Sequence, residues 1–219
     1  MARTVTAVAK ERLKSPRARL FVALDLPDAV RRGLSAWQRE ALTGDELRPS
    51  RPETLHMTLA FLGYHPEREV EGITAAATDE LESEAPEVRL LPEPIPVPRN
   101  RPRLFAIDAE SPGAVTLQAE VSDRLEAAGF YTPEKRDFWP HLTVARVRSE
   151  RRPRGGGRGR RSARPMRVER PPGPLPEALL DPFHAVRVTL YRSLLRPTGA
   201  EYVAVANVEL PIAGSGKAS

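Results

Sequence analysis

The distribution of apolar and polar residues predicts a half-buried β-strand around residue 58. Residues 55–63 read LHMTLAFLG, in which apolar side chains recur at every second position and His56 and Thr58 fall between them. Because successive side chains of a strand point to opposite faces, this alternation is typical of a strand with one face in the core. His56 and Thr58 therefore lie side by side on the face that points away from the apolar stripe.

A second strand with the same arrangement is predicted further along the chain. Residues 139–146 read WPHLTVAR, and there Leu142 and Val144 alternate with His141 and Thr143. The chain thus contains two His-x-Thr motifs on two amphipathic strands. Each motif presents one imidazole beside one hydroxyl on its polar face.

The order of the predicted elements repeats around the two motifs. Residues 19–25 (RLFVALD) resemble residues 103–108 (RLFAID), and a helix-like stretch follows each run, at 28–42 and at 113–128. The first residue of the run precedes the motif histidine by 37 residues in the first half and by 38 in the second. Similar order and spacing predict two lobes related by a pseudo-twofold axis.

Further patterns place the chain in a mixed class. Residues 67–82 are predicted to form a helix, and residues 88–95, 185–191 and 202–210 are predicted to form strands. Strands interleaved with helices are typical of α+β or α/β domains.

Composition excludes several kinds of site. The chain has no cysteine, so disulfides, thiolate nucleophiles and cysteine-bound zinc are ruled out. No apolar run approaches the roughly 20 residues of a membrane-spanning helix, and the basic start lacks the apolar stretch of a secretory signal. We therefore expect a cytoplasmic protein with no membrane partner.

Positive charge is concentrated in one segment. Residues 148–170 contain ten arginines and two glutamates, a net charge of +8, whereas the whole chain carries +5. Residues 149–176 are also rich in glycine and proline and show no period, which predicts a disordered or mobile loop between two strands of the second lobe. This loop either extends a phosphate-binding surface or is a solvated segment of an arginine-biased chain.

The length of 219 residues suits a single domain, or two small lobes of one domain. We expect a flexible leader at 1–17, one bilobal domain at 18–210 that contains the loop at 149–176, and a flexible tail at 211–219.

The two motifs combine the groups that phosphoryl transfer needs. A histidine has a usual pKa of about 6.5, so His56 and His141 can divide the acid and base work near neutral pH. The hydroxyls of Thr58 and Thr143 can donate hydrogen bonds to phosphate oxygens. A guanidinium can stabilise the charge that develops, and Arg146 is the candidate, although strict alternation places it on the face opposite the motif histidine. Such a site needs no metal.

These residues resemble those of the 2H phosphoesterases, a superfamily named for its two His-x-Thr motifs. Within it the chain is most similar to the bacterial and archaeal RNA 2′,3′-cyclic phosphodiesterases, also called 2′-5′ RNA ligases. The similar stretches are residues 19–24, 55–63, 138–146 and 190–193. The resemblance implies an α+β fold in which two pseudo-symmetric lobes of antiparallel-rich sheet, with outer helices, surround a central cleft.

The resemblance also implies an activity. The family opens the 2′,3′-cyclic phosphate at an RNA end to leave a 2′-phosphate, without a metal or other cofactor, and the reverse reaction joins RNA ends through a 2′-5′ linkage without ATP. His56 is implied as the proton donor and His141 as the proton acceptor, and Phe21 and Trp139 are candidates for stacking on a base. The expected partner is RNA with a cyclic phosphate end, tRNA fragments among the candidates, and the expected state is a monomer.

Two other functions are compatible with the sequence. One is a 2H phosphodiesterase whose substrate is a small cyclic nucleotide or an ADP-ribose cyclic phosphate. The other is a non-catalytic RNA-binding protein that uses the arginine-rich loop. A preference for mononucleotides over oligonucleotides favours the first, whereas the presence of histidine and threonine in both motifs speaks against the second.

Overall fold

The strands of the protein form one antiparallel sheet in a computed structural model that describes residues 16–149, 164–196 and 199–212. The strands are β1 (Arg17–Asp25), β2 (Leu47–Pro49), β3 (His56–Pro66), β4 (Glu87–Val97), β5 (Leu104–Glu110), β6 (His141–Val147), β7 (Phe183–His184), β8 (Arg187–Arg196) and β9 (Gly199–Glu209). The α-helices are α1 (Asp28–Ala41), α2 (Val70–Thr78) and α3 (Pro112–Ala127), with 3-10 turns at Pro52–Thr54, Glu67–Glu69 and Glu177–Leu179.

The two long helices begin and end close to the predicted positions, because their local signals are strong. The Ser111 hydroxyl accepts a hydrogen bond from the Ala114 N–H at the start of α3 (3.2 Å), and Pro112 occupies its first turn. Gly129 adopts φ +77° just after its end, where a glycine commonly terminates a helix. The predicted helix at 67–82 is shorter, since only Val70–Thr78 is α-helical.

The order of the strands shows two equivalent lobes. From one edge to the other the order is β7, β4, β5, β6, β3, β1, β8 and β9, with β2 paired to β6. The motif strands β6 and β3 are central neighbours, joined by the pair Met57 and Leu142. On either side, β5 matches β1 and β4 matches β8. The predicted α+β class with two pseudo-symmetric lobes is confirmed.

The two lobes share the same strand register around their motifs. In both, an aspartate lies opposite the motif histidine and an alanine lies opposite the motif threonine. The pairs are Asp25–His56 and Ala23–Thr58 in the first lobe, and Asp108–His141 and Ala106–Thr143 in the second. This agreement places the two imidazoles at equivalent positions of the two lobes.

The two Arg-Leu-Phe runs that indicate the repeat do not occupy equivalent positions in this register, because they differ by one residue in their distance from the aspartate. Phe21 precedes its aspartate by four residues and Phe105 precedes its aspartate by three, so the two rings fall on opposite faces of the sheet. Phe105 is among the largest fully buried side chains of the core, whereas Phe21 lines the cleft.

Part of the arginine-rich segment packs on the domain. The Trp37 indole N–H donates to the Pro174 carbonyl (2.9 Å), the Leu175 N–H donates to the Pro92 carbonyl (2.8 Å), and Leu175 is buried. The rest of that segment, at 150–163, and most of the predicted leader and tail, at 1–15 and 213–219, lie outside the described residues. Within the described ranges, no helix has both the length and the apolar character needed to cross a membrane.

Candidate active site

The two motifs meet in one cleft of about 490 Å³. Its lining includes all five residues predicted to carry the acid, the base and the phosphate contacts, namely His56, Thr58, His141, Thr143 and Arg146. Four arginines and two histidines line the cleft, and no aspartate or glutamate does so among the residues that the structure describes. Such a cleft has a positive potential and attracts anions.

The imidazole of His56 is held from several sides. Its Nε2 lies 3.2 Å from the Thr58 hydroxyl, and its ring stacks on Phe21 with 5.0 Å between centroids. Burial lowers the pKa of His56 to about 4, although the Asp25 carboxylate and a hydrogen bond to the Thr54 carbonyl act in the opposite direction. His56 is therefore neutral at pH 7 in the ligand-free protein.

The imidazole of His141 is held in an equivalent way. Its Nδ1–H donates to the Trp139 carbonyl (2.7 Å), and its ring stacks on the Trp139 indole at 4.0 Å. Burial lowers the pKa of His141, and the Trp139 carbonyl and Asp108 partly offset this effect. Because a carbonyl can only accept, the neutral ring carries its proton on Nδ1 and leaves the Nε2 lone pair available.

The backbone carbonyl two residues before each motif histidine acts on its ring. The Trp139 carbonyl accepts from His141 Nδ1–H, and the Thr54 carbonyl raises the pKa of His56.

A β-bulge brings Arg146 to the cleft. The register between β5 and β6 shifts after Thr143, so that Val144 and Ala145 are both buried and the alternation of faces changes by one position. Arg146 consequently lies on the same side as His141. The first lobe has the same bulge after Thr58.

The bulge of the first lobe puts an aromatic residue where the second lobe has its arginine. Phe61 occupies the position equivalent to Arg146, lines the cleft and is 44% exposed. The Arg19 guanidinium lies over the Phe61 ring at 4.7 Å and also donates to the Ser193 hydroxyl (3.0 Å).

A buried carboxylate behind His56 was not predicted from the sequence. Asp25 is 1% exposed and accepts hydrogen bonds from Arg187 Nε (2.9 Å), the Thr189 hydroxyl (3.0 Å) and the Tyr191 hydroxyl (2.9 Å). Arg31 adds an ion pair at 3.4 Å. An acidic residue at the end of an otherwise apolar strand is the signal that sequence reasoning passed over.

Aromatic rings from the end of the chain complete one wall of the cleft. Tyr202 lies edge-on to Phe21 (4.8 Å) and to His56 (5.4 Å), and Tyr191 stacks on Phe21 (5.3 Å). Phe21 is therefore only 4% exposed. Both tyrosines fall on predicted strands, and Tyr191 lies in a stretch that resembles the family. The sequence offered no signal that they reach the first motif, because more than 130 residues separate them from it.

Trp139 lies beside the cleft rather than in it. It lines a neighbouring pocket of about 470 Å³, which also contains His141 and Thr58, and its indole N–H donates to Asp108. One face of the indole is covered by the His141 ring. Stacking of a base on Phe21 or Trp139 stays a prediction.

A three-residue strand positions the second motif. Ser50 follows β2, and its hydroxyl donates to the Thr143 carbonyl (2.7 Å) while its N–H donates to the Val144 carbonyl (2.9 Å). Gln38 of α1, which is buried, donates to the carbonyls of both Ser50 (3.1 Å) and Val144 (2.7 Å). These hydrogen bonds connect α1, β2 and β6 at the site.

Among the described residues, no group of three histidine, aspartate or glutamate side chains is placed to hold one metal ion.

Comparison with known proteins identifies relatives of this chain. A family model described as LigT-like phosphoesterase matches residues 24–94, which include the first motif. The RNA 2′,3′-cyclic phosphodiesterase of Archaeoglobus fulgidus is 30% identical over 135 residues, 59% of this chain and 73% of that protein. The protein of the same name from Thermus thermophilus is 34% identical over 134 residues, 58% of this chain and 68% of that protein.

Solved structures share the fold. The crystal structure of TT0787 of Thermus thermophilus superposes with a TM-score of 0.69 at 28% identity, covering 89% of this chain and 99% of that one. E. coli LigT complexed with 3′-AMP has a TM-score of 0.65 at 22% identity, with the same coverage of both chains, and supports the fold alone. From these relatives and from the two motifs that face one cleft, the chain belongs to the LigT-like phosphoesterase family.

Proposed function

We propose that this phosphoesterase hydrolyses the 2′,3′-cyclic phosphate at the end of an RNA chain and leaves a 2′-phosphate. The observation that carries the proposal is the equivalent placement of two His-Thr pairs on the walls of one basic cleft. The relatives named RNA 2′,3′-cyclic phosphodiesterase support the choice of substrate.

In the proposed reaction the two histidines exchange protons with opposite sides of the phosphorus. His141, whose Nε2 lone pair is available, takes a proton from the attacking water. The P–O3′ bond breaks as the new P–O bond forms, and protonated His56 donates its proton to the leaving 3′-oxygen. The product is a 2′-phosphate monoester with a free 3′-hydroxyl.

Binding of the substrate prepares His56 for this role. In the ligand-free protein burial keeps its pKa at about 4, so the imidazolium is rare at pH 7. A phosphate anion between the two motifs favours the charged ring and raises that pKa. The Asp25 carboxylate acts in the same direction from behind the ring.

The remaining groups stabilise the charge on the non-bridging oxygens. We assign hydrogen bonds from Thr58 and Thr143 and a charge-assisted contact from Arg146 to these oxygens. Since the side chains supply an acid, a base and cationic donors, the proposed route needs no metal.

The test is turnover of an RNA oligonucleotide that ends in a 2′,3′-cyclic phosphate, in the presence of EDTA. Wild type, His56→Ala and His141→Ala are compared, and the product is identified as a 2′- or 3′-phosphate. We expect a 2′-phosphate from wild type and a loss of at least 10²-fold in each variant, the lower end of a general acid or base contribution. Turnover that is indifferent to both histidines overturns the proposal.

Joining of RNA ends by the reverse reaction is a secondary part of the proposal. A 5′-hydroxyl would take the place of water and form a 2′-5′ linkage without ATP, and it competes with water in vast excess. RNA as the substrate, tRNA fragments among them, a monomeric state and a cytoplasmic location stay predictions.

A further inference from the structure

Arg48 and Arg146 lie directly opposite each other in the antiparallel pair of β2 and β6. Directly opposed side chains of a strand pair point to the same face, with about 5 Å between their Cβ atoms, and like charges in this arrangement are destabilising. Both arginines line the cleft. The two guanidinium groups concentrate positive charge on this wall of the cleft, and such a wall attracts anions.

The backbone that carries Arg48 is fixed to the second motif. Besides the β2–β6 pairing, Ser50 donates to the carbonyls of Thr143 (2.7 Å) and Val144 (2.9 Å), and the Arg148 N–H donates to the Glu46 carbonyl (2.8 Å). Residues 46–50 are therefore held on both sides of Arg48. The guanidinium is attached to a rigid segment next to the proposed reaction centre.

Arg51 extends this positive surface toward the first motif. It precedes the 3-10 turn Pro52–Thr54, which leads into His56, and it lines the same cleft. Its ion pair with Glu53 is long, at 3.6 Å, and both side chains are more than half exposed. Exposed pairs of this kind contribute little to stability, so an incoming phosphate can replace the carboxylate at small cost.

The cleft contains more arginines than the contacts to one phosphate require. The proposed reaction assigns Arg146, with two threonines, to the cyclic phosphate, and Arg19 is engaged with Ser193 and Phe61. Arg48 and Arg51 have no part in that chemistry. We infer that Arg48 and Arg51 form a second phosphate subsite, which binds the internucleotide phosphodiester on the 5′ side of the terminal nucleotide.

This inference rests on the proposed function and narrows its substrate class. A cyclic mononucleotide has no second phosphate and leaves the subsite empty, whereas an oligonucleotide fills it. The protein therefore selects RNA ends over free cyclic nucleotides through a phosphate contact that carries no information about base sequence.

The experiment compares three substrates with the same terminal nucleoside. They are adenosine 2′,3′-cyclic phosphate, a dinucleotide with a 2′,3′-cyclic phosphate end, and the same dinucleotide with an uncharged methylphosphonate linkage between its nucleosides. Both dinucleotides offer the same bases, so their ratio of kcat/KM isolates the charge of the internucleotide phosphate. The enzymes are wild type, Arg48→Gln/Arg51→Gln and the matched control Arg32→Gln/Arg39→Gln, whose two arginines are exposed on α1.

For wild type we expect the charged dinucleotide to exceed the uncharged one by roughly 10- to 100-fold, the worth of a charge-assisted hydrogen bond. In Arg48→Gln/Arg51→Gln this ratio of kcat/KM values falls to about threefold or less, because the charged dinucleotide loses its charge-assisted contacts and its KM rises. Turnover of the mononucleotide stays within about twofold of wild type, because the reacting groups are intact. The control keeps the wild-type ratio.

Three results overturn the inference. One is a wild type that treats both dinucleotides alike. Another is a double variant that keeps the wild-type ratio, or that loses mononucleotide turnover to the same extent. The last is a double variant that loses turnover of ADP-ribose cyclic phosphate and turns over the dinucleotides as wild type does. In that case the second phosphate belongs to the pyrophosphate of ADP-ribose and not to RNA. Absence of turnover of every substrate overturns the proposed function itself.

Discussion

Asp25 lies opposite His56 in the antiparallel pair of β1 and β3, and its buried carboxylate raises the pKa of that imidazole against the effect of burial. The carboxylate is held in place by donors from β8, among them the hydroxyl of Tyr191. Burial and the nearby Asp25 raise the pKa of Tyr191 to about 12, so this hydroxyl keeps its proton throughout the working pH range. Asp25 is thus a positioned charge behind the proposed acid.

Asp25→Asn is expected to lower kcat/KM at pH 7 by about tenfold or more. Loss of the negative charge lowers the pKa of His56 further below 4, and each unit of that change reduces the protonated fraction tenfold. The measurement is a pH profile of kcat/KM, in which the acid limb of the variant moves to lower pH. An Asp25→Asn variant that is less active only because it is partly unfolded keeps the wild-type profile, and this outcome contradicts the prediction.

The pH dependence of wild type follows from the lowered pKa values of both histidines. In the active form His56 is protonated and His141 is neutral. The pH dependence of kcat/KM reports the pKa values of these groups in the free enzyme. Since burial lowers both below the usual value of about 6.5, both rings lose their protons as the pH rises toward 7. We expect a bell-shaped profile for a cyclic mononucleotide with its maximum below pH 6.5. A maximum at pH 7 or above contradicts this expectation.

Thr58→Val and Thr143→Val test the proposed phosphate contacts. Valine keeps the shape of the side chain and removes the hydroxyl, so each variant loses one donor to a non-bridging oxygen. We expect a fall in kcat of about 10²-fold in each, the usual cost of one such donor. Thr116→Val on the exposed face of α3 is the control. Single-turnover rates equal to those of wild type would remove the threonines from the mechanism.

Gln38→Ala tests the connection between α1, β2 and β6. The side chain is 3% exposed and donates to two backbone carbonyls. In the variant the Ser50 carbonyl loses this donor, and the Val144 carbonyl keeps only the Ser50 N–H. We expect the free energy of unfolding to fall by about 1–3 kcal/mol, the cost of leaving a buried polar group unsatisfied. Urea denaturation measures it. Gln118→Ala, at a partly exposed position of α3, should change stability by less than about 0.5 kcal/mol.

The strand faces, the long helices and the two-lobe arrangement follow from local patterns. Alternation with a period of two places His56 with Thr58 and His141 with Thr143 on the same face of a strand, whatever the strand packs against. Ser111 and Gly129 mark the ends of α3 through hydrogen bonding and φ alone. These features depend on neighbours in the sequence, and the structure has them as predicted.

Other parts of the site depend on contacts between distant segments. Strand β2 has three residues, too few to show a period, and only its pairing with β6 places Arg48 opposite Arg146. The donors to Asp25 come from β8, more than 160 residues further along the chain. No local pattern reports such partners.

Two imidazoles and two hydroxyls lie on the polar faces of two equivalent strands as a consequence of the local sequence, because the pleat of a strand is a local property of the backbone. The positions of Arg146 beside them and of Asp25 behind His56 follow from the assembled fold. A bulge changes the face of every residue beyond it, and whether one forms depends on the strand alongside. A buried carboxylate, likewise, acquires its partners when the sheet assembles.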